Sequence, residues 1–317
     1  MLSRVAESIY WISRYVERAE NVARFIDVNL QLMIDAPAGF DQQWLPLVYT
    51  TGDQDEFKRR YSSPNAESVV RFLAFDLENP NSIVRCVRAA RENARTVREI
   101  ISSEMWLQLN KFHLMVSSAA ARGGGILDRH DFFGEVKLAS QTFAGLTNST
   151  LTHGEPWHWC RLGRQLERAD KTSRMLDVKY FILLRSVADV GSAFDEVQWA
   201  AVLRSASAFE MYRKRFGRIA VPNIVDFLML HREFPRAVLY CLTTARDALH
   251  AISGTPLGTF RHAPEKLLGQ LCSELAYTTV EELLSVGLHE YIDRLQTKIN
   301  QVGNGIFESF LALRAPE

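Results

Sequence analysis

Residues 12–28 read ISRYVERAENVARFIDV, and residues 162–178 read LGRQLERADKTSRMLDV. The first stretch lies in a longer segment, residues 2–33, in which apolar residues recur at spacings of three and four. This spacing places them along one stripe of an α-helix, with charged residues on the opposite face. The stripe comprises Val5, Ile9, Ile12, Val16, Ala19, Ala23, Ile26 and Leu30. We therefore predict a long amphipathic helix over residues 2–33, which must bury its stripe against other helices.

The two stretches belong to an internal repeat. After a shift of 150 residues, Arg14, Glu17, Arg18, Ala19, Arg24, Asp27 and Val28 fall on identical residue types, and Glu20 falls on Asp170. After a shift of 155, identities continue at Trp44, Arg60, Val70, Phe72, Leu73, Glu78, Pro80, Cys86, Ala90 and Arg91. Helical propensity alone does not place a Trp, a Pro and a Cys in one register, so the pattern indicates a duplication.

We predict an all-α fold in which the duplicated multi-helix unit packs with pseudo-two-fold symmetry. Residues 1–150 form copy one and residues 151–317 form copy two of a single intimate globule, since no Gly/Ser/Pro-rich linker lies near residue 150. No convincing series of strands is found. Further helices are predicted over the ranges 44–61 (with a break near Gly52), 65–75, 79–109, 128–147, 155–187, 192–216 and 288–313, and at Pro222, Pro235 and Pro264.

Composition limits the possible functions. The chain of 317 residues has 37 basic and 37 acidic residues and is 47% hydrophobic. It lacks the basic excess typical of a nucleic-acid binder. No stretch approaches 18 apolar residues, and the N-terminus lacks the features of a signal peptide. The four cysteines form no C-x-x-C pair, which favours free thiols and a cytoplasmic protein.

The first candidate site is the doubled charged helix. In a helix, residues three or four apart share a face, so Arg14 can reach Glu17, and Glu20 can pair with Arg24. If the two copies meet, arginines could hold a carboxylate of a peptide or amino acid and glutamates its amine. The alternative is a structural network of ion pairs. The candidate ligand-binding residues here are Arg14, Glu17, Arg18, Glu20, Arg24, Arg164, Glu167, Arg168, Asp170 and Arg174.

Two further segments carry polar clusters. In THGEPWHW, His153, Glu155 and His158 form either a site rim or a capped helix start with packed tryptophans. In RAARENARTVRE, arginines 91, 95 and 98 share a face that either binds anions or is simply solvated.

No metal or cofactor site is predicted. A di-metal helical carboxylate site needs Glu-x-x-His on two helices, and only one such pair occurs, at Glu155 and His158. The glycine run at residues 123–125 lacks the phosphate-loop pattern, and no G-x-S-x-G elbow is present.

Three segments, matching in order, resemble the bacterial alpha-E family over essentially the whole chain: MLSRVAESIYWISRYVERAENVARFIDV at 1–28, RAARENARTVRE with the following ISSEMW at 88–106, and LGRQLERADKTSRMLDV. The resemblance implies association with a circularly permuted ATP-grasp amidoligase-like protein and a transglutaminase-like protein, and thereby peptide ligation or processing. It also implies that the family's charged positions fall on Glu17, Arg18, Glu20, Glu92, Glu104, Glu155, Glu167, Arg168 and Asp170.

Three functional hypotheses follow. In the first, the chain is the helical partner or substrate-binding component of an ATP-grasp amidoligase system and holds a peptide or amino-acid ligand. In the second, it is a free-standing enzyme in which Glu17 or Glu167 acts as general base while arginines clamp a carboxylate. In the third, it is a structural assembly factor, which would present an exposed apolar patch.

Overall fold

The computed structural model describes residues 1–34, 44–123, 129–178 and 193–312. These ranges contain fifteen α-helices, three π-helical turns and no strand, so the all-α prediction is confirmed. The helices are α1 (Ser3–Ile34), α2 (Leu45–Thr51), α3 (Gln54–Arg60), α4 (Ala66–Val70), α5 (Ile83–Thr96), α6 (Ser103–Ala121), α7 (Arg129–Thr150), α8 (Glu155–Asp177), α9 (Ala193–Ser205), α10 (Phe209–Phe216), α11 (Val221–Val225), α12 (Val238–Ser253), α13 (Ala263–Tyr277), α14 (Val280–Val286) and α15 (Leu288–Ile306). The π-helical turns are Arg71–Phe75, Asp226–Leu230 and Phe307–Leu311.

The long helices α1 and α8 form the centre of the molecule. Helix α1 packs against α5, α7 and α8, and α8 packs in turn against α12 and α15. The α1–α8 contact is close because Gly163 faces α1: a Cβ atom added there would lie 2.4 Å from the carbonyl oxygen of Tyr10. A glycine at this position lets the two backbones approach and brings their charged residues within reach of each other.

The predicted apolar stripe of α1 is buried at six of its eight positions, and Val5 and Leu30 near its ends are half-buried. Ile9 and Ile12 lie in a core cluster that also contains Leu162 and Leu166 of α8. Further along α1, Ile26 joins a second cluster together with Phe57 of α3 and Phe133 of α7. The larger cluster therefore contains residues from both the first and the second half of the chain.

Several helix boundaries differ from the predicted ones. The single helix predicted over 79–109 is two helices, since α5 ends at Thr96 and Ser102 caps the start of α6 by accepting a hydrogen bond from the amide of Met105. The helix predicted over 192–216 is also divided, at Ser207, whose φ is 52°. The helix after Pro235 begins only at Val238. The predicted ends at residues 187 and 192 lie outside the described residues.

Corresponding elements of the two halves begin at a constant separation. Helices α3, α4 and α5 and the first π-helical turn begin 155 residues before α10, α11, α12 and the second π-helical turn. This is the shift found in the sequence between residues 44 and 91. The duplication and the pseudo-two-fold packing stay predictions.

Within the described ranges, no helix has the length and hydropathy needed to cross a membrane.

Candidate functional site

Glu167 lies at the contact between α8 and α1 and binds two arginines of α1. Arg18 donates from Nε to Oε1 at 2.7 Å and from Nη2 to Oε2 at 2.9 Å. Arg14 donates from Nε to Oε2 at 2.9 Å. The Glu167 side chain is fully buried, so its charge is balanced by guanidinium groups and not by water.

Glu17 forms the reciprocal arrangement from α1. Arg168 of α8 donates from Nε to Oε1 at 2.9 Å and from Nη2 to Oε2 at 2.7 Å. Arg236, which precedes α12, donates from Nη1 to the same Oε1 at 3.0 Å. Asn21 donates a further hydrogen bond at 3.1 Å. The glutamate of each Glu-Arg dipeptide therefore binds the arginine of the dipeptide on the other helix.

Two more acidic residues extend this network. Glu20 accepts hydrogen bonds from Arg24 and, at 2.6 Å, from Nη2 of Arg236, so the predicted Glu20–Arg24 pair is present. Asp170 accepts from Nε of Arg174 at 2.9 Å and lies 3.2 Å from the amine of Lys171. The predicted pair between Arg14 and Glu17 is wrong, because Arg14 points across the helix contact to Glu167.

The pKa values follow from this burial and pairing. Burial raises the pKa of the Glu17 carboxyl, but the guanidiniums of Arg168 and Arg236 outweigh burial and lower it to about 2. Arg18 and Arg14 likewise hold the pKa of Glu167 well below its usual range, against the effect of burial. Both carboxylates are therefore ionised and fully occupied with hydrogen bonds, an environment suited to ion pairing and poorly suited to accepting a proton.

Arg164 is the position that departs from the reciprocal pattern. Arg164 corresponds to Arg14 after the shift of 150, yet it donates no hydrogen bond to any residue in the described part of the chain. The second guanidinium that binds Glu17, beside that of Arg168, belongs instead to Arg236. Burial and the neighbouring Arg168 lower the pKa of Arg164.

The remaining predicted residues lie away from this network. Glu92 pairs with Arg91 and Arg95 on α5, and Glu104 is exposed in the first turn of α6. Glu155, at the start of α8, accepts a hydrogen bond from the indole of Trp159 at 3.4 Å. The structure therefore does not bring these three glutamates together with Glu17 and Glu167.

Aromatic side chains contact residues of the other two predicted clusters. The ring of His153 stacks on Trp157 with centroids 4.2 Å apart, and Trp157 also contacts His158. Arg98 lies over the ring of Trp106, 4.9 Å from its centroid. Among the described residues, no group of three or more His, Cys, Asp or Glu side chains could hold a metal ion.

The sequence prediction missed Arg236 and Asn81. Arg18 donates from Nη1 to Oδ1 of Asn81 at 2.7 Å, whereas Arg236 contacts Glu17 and Glu20. The two missed residues correspond after the shift of 155, and each directly follows a proline that the repeat aligns. Their equivalent positions in the repeat could have identified them in the sequence. A comparison limited to identical residues does not find them, because one is an asparagine and the other an arginine.

Two clefts open beside the network. One, of about 340 Å³, has Arg14 on its wall together with Trp11, Asn300 and Asn304, and contains further residues of α15. The other, of about 480 Å³, has Arg174 on its wall and lies between α2, α8 and α15. Arginines that belong to the buried network therefore reach two openings at the protein surface.

Together these features define an all-α protein whose two central helices are joined through paired Glu-Arg dipeptides. The model of the alpha-E family, described as a predicted alpha-helical domain with a conserved ER motif, matches residues 1–311. The chain belongs to this family. Its two Glu-Arg dipeptides, residues 17–18 and 167–168, are the ones that form the reciprocal pairs.

The chain is also similar to uncharacterized proteins of mycobacteria. It is 23% identical to one from Mycobacterium bovis over 327 aligned positions, which cover 96% of this chain and 35% of the relative. Two uncharacterized proteins of Mycobacterium tuberculosis show the same identity and coverage. The chain therefore spans about a third of the length of these relatives. No solved structure matches it.

Proposed function

We propose that this chain is the helical partner and substrate-binding component of an ATP-grasp amidoligase-like system for peptide ligation or processing. In this system it acts beside a transglutaminase-like protein in the cytoplasm. The observation that supports the proposal is the complete pairing of the Glu17 and Glu167 carboxylates with arginines. Both are buried and saturated by arginine hydrogen bonds, which favours holding and presenting a ligand over acid–base chemistry at these two residues.

The arginines provide the capacity to bind a ligand. Arg14 uses Nε and Nη2 on Glu167 and Nη1 on the hydroxyl of Tyr10, so the pairing fixes its guanidinium at the wall of the first cleft. A guanidinium held by a buried carboxylate is pre-organised and loses little side-chain freedom when a carboxylate ligand binds. The proposed ligand is a peptide or an amino acid.

The length of the relatives supports a role within a larger system. In the three mycobacterial proteins, the matched region makes up 35% of the polypeptide. The same helical unit is thus covalently joined to other sequence there. Such a unit is expected to work next to further domains.

The test is reconstitution from purified components. An ATP-grasp protein and a transglutaminase-like protein from the same organism are each mixed with the purified chain, and the mixtures are analysed by size-exclusion chromatography with light scattering. We expect co-elution with the ATP-grasp protein at a fixed stoichiometry, and an unrelated helical protein of similar mass serves as the control. If the folded chain and the ATP-grasp protein eluted separately, the proposed partnership would be contradicted.

A coupled assay separates the partner role from the enzyme alternative. ATP consumption by the ATP-grasp protein with amino acids or peptides is measured with and without the chain. The partner role predicts that the chain changes the rate or the product, whereas the chain alone produces no new bond. Turnover by the chain alone that is lost in both Glu17→Gln and Glu167→Gln would instead support the free-standing enzyme.

A further inference from the structure

The second cleft carries features that the buried network does not explain. It has a volume of about 480 Å³ and is lined by Tyr49 of α2, Gln54 of α3, Arg174 and Asp177 of α8, and His289 and Gln296 of α15. This volume lies within the range of small-molecule sites, about 300–1,000 Å³. Of these residues only Arg174 was among the candidate ligand-binding residues of the charged repeat.

Arg174 enters the cleft with most of its guanidinium unused. Its Nε donates to both carboxylate oxygens of Asp170, at 2.9 and 3.0 Å. Its two terminal nitrogens donate no hydrogen bond to any residue within the described ranges. The Nη1 atom lies against the backbone of Gly52, since a Cβ added there would be 3.4 Å from it. Asp170 therefore orients the guanidinium and leaves its terminal edge for another acceptor.

Two amide groups in the cleft lack partners. The Oε1 atom of Gln54 and the Nε2 atom of Gln296 are buried, and neither has a hydrogen-bond partner among the described residues. Gln296 is only 9% exposed. Buried polar groups are almost always hydrogen-bonded, so an unpaired acceptor and an unpaired donor that line one cleft call for an explanation. A ligand that offers both a donor and an acceptor would supply it.

An ion pair between α8 and α15 also lines the cleft, close to Arg174. Nδ1 of His289 lies 2.7 Å from Oδ1 of Asp177. The contact with Asp177 raises the pKa of His289 and so favours its protonated form. With His289 protonated the pair is neutral, and the terminal edge of Arg174 gives the cleft its preference for an anion. A forked guanidinium binds a carboxylate through two parallel hydrogen bonds.

We propose that this cleft binds a carboxylate that directly follows an amide group, as at the C-terminus of a peptide. The terminal nitrogens of Arg174 bind the carboxylate. The amide N–H of the ligand donates to Oε1 of Gln54, and its carbonyl oxygen accepts from Nε2 of Gln296. This site deepens the proposed function, because it names the C-terminal end of the peptide as the part that is held. The role of the peptide as ligand rests on the proposed function. Binding of the peptide to the cleft does not require the ligase.

The test is isothermal titration calorimetry of the full chain with N-acetylglycine, a small probe that joins a peptide-like amide to a carboxylate. We expect binding at one site. N-acetylglycinamide removes the carboxylate and acetate removes the amide, so each should bind at least about tenfold more weakly, the effect expected for losing a charge-assisted hydrogen bond or leaving buried amides unpaired.

Variants assign the site. Arg174→Lys keeps the charge next to Asp170 but removes the fork, and Gln296→Met keeps the shape but removes the donor; each should weaken N-acetylglycine binding about tenfold or more. Arg161→Gln, on the same helix and outside the cleft, is the matched control and should bind like the wild type. Thermal melting confirms that each variant is folded, and Gln296→Met keeps the test decisive if Arg174→Lys does not fold.

Three results would overturn the site. They are no binding of N-acetylglycine to the folded wild-type chain, equal binding of N-acetylglycinamide, and unchanged binding in both cleft variants. Failure of the partnership would look different: the chain would bind N-acetylglycine as expected and yet elute separately from the ATP-grasp protein.

Discussion

Glu17 on α1 and Arg168 on α8 form a bidentate ion pair across 151 positions of the chain, with N–O distances of 2.9 and 2.7 Å. The neighbouring residues Arg18 and Glu167 repeat the same pair in the opposite direction. Since each helix carries one acid and one base, neither pair forms unless the two helices are in register. The two Glu-Arg dipeptides thus hold α1 and α8 together in one register.

Removal of Arg168 should destabilise the protein. The Arg168→Ala variant leaves the buried Glu17 with only Arg236 and Asn21 as partners. Loss of one partner of a buried ion pair typically costs about 3–5 kcal/mol. Because Arg236 and Asn21 still contact Glu17, we expect a loss of about 3 kcal/mol, at the low end of this range. Urea denaturation at neutral pH measures it.

Arg161→Ala is the matched control for this loss. Arg161 is also on α8, but its guanidinium lies over the ring of Trp157, 5.2 Å from the centroid, and no ion pair to a described residue holds it. Its removal should cost no more than about 1 kcal/mol. If Arg168→Ala is as stable as the control but no longer binds the proposed peptide or amino-acid ligand, the network is a binding site and does not serve mainly to stabilise the fold.

A methyl group at Gly163 should also be destabilising. The added Cβ would lie 2.4 Å from the carbonyl oxygen of Tyr10, so α1 and α8 must separate. Overpacking of this kind typically costs about 1–3 kcal/mol, more than the helix propensity that alanine gains. Thermal unfolding of Gly163→Ala should show a lowered midpoint.

Gly145→Ala provides the comparison, because Gly145 is inside α7 and a Cβ there meets nothing within 4 Å. The substitution should stabilise the chain by about 0.5–1 kcal/mol through helix propensity. Equal effects of the two substitutions would show that the close contact between α1 and α8 is absent in solution.

The sequence was sufficient to predict the helical class and the two central helices. The apolar stripe that contains Ile9, Ile12 and Ile26 follows the helical period, which predicts the face that packs inward, and all three residues are buried. The charged repeat likewise identified the network residues of α1 and α8 that form the paired Glu-Arg dipeptides. Local signals of this kind are readable because they act within one or two helical turns.

The partners within the network could not be predicted in the same way. Spacing on one helix suggested that Arg14 pairs with Glu17, but the close approach at Gly163 gives Arg14 a partner on the other helix. Arg236 comes from a third segment, 219 positions from Glu17. Such pairs depend on tertiary packing, and an arginine is long enough to satisfy either geometry.

Acid should weaken the network at a definite pH. The pKa of Glu17 is about 2 in the folded chain, against an ordinary value of 4.5. A lowered pKa contributes stability in full above about pH 4.5, and the contribution declines as the pH falls and is lost below about pH 2. The stability difference between the wild type and Glu17→Gln should therefore shrink steadily over this range. A difference that stays constant would show that Glu17 is not held by its arginines.

The cysteines should be unreactive while the protein is folded. Burial raises the pKa of both Cys86 and Cys241 to about 12, and Cys160 and Cys272 are also buried free thiols. Only the thiolate reacts with disulfide reagents, so protonation and burial both oppose the reaction. A colorimetric thiol assay near neutral pH should detect almost none in the native chain and all four after denaturation. With increasing denaturant the reaction should follow unfolding; fast labelling of one cysteine under native conditions would mean that its helix opens separately from the rest of the core.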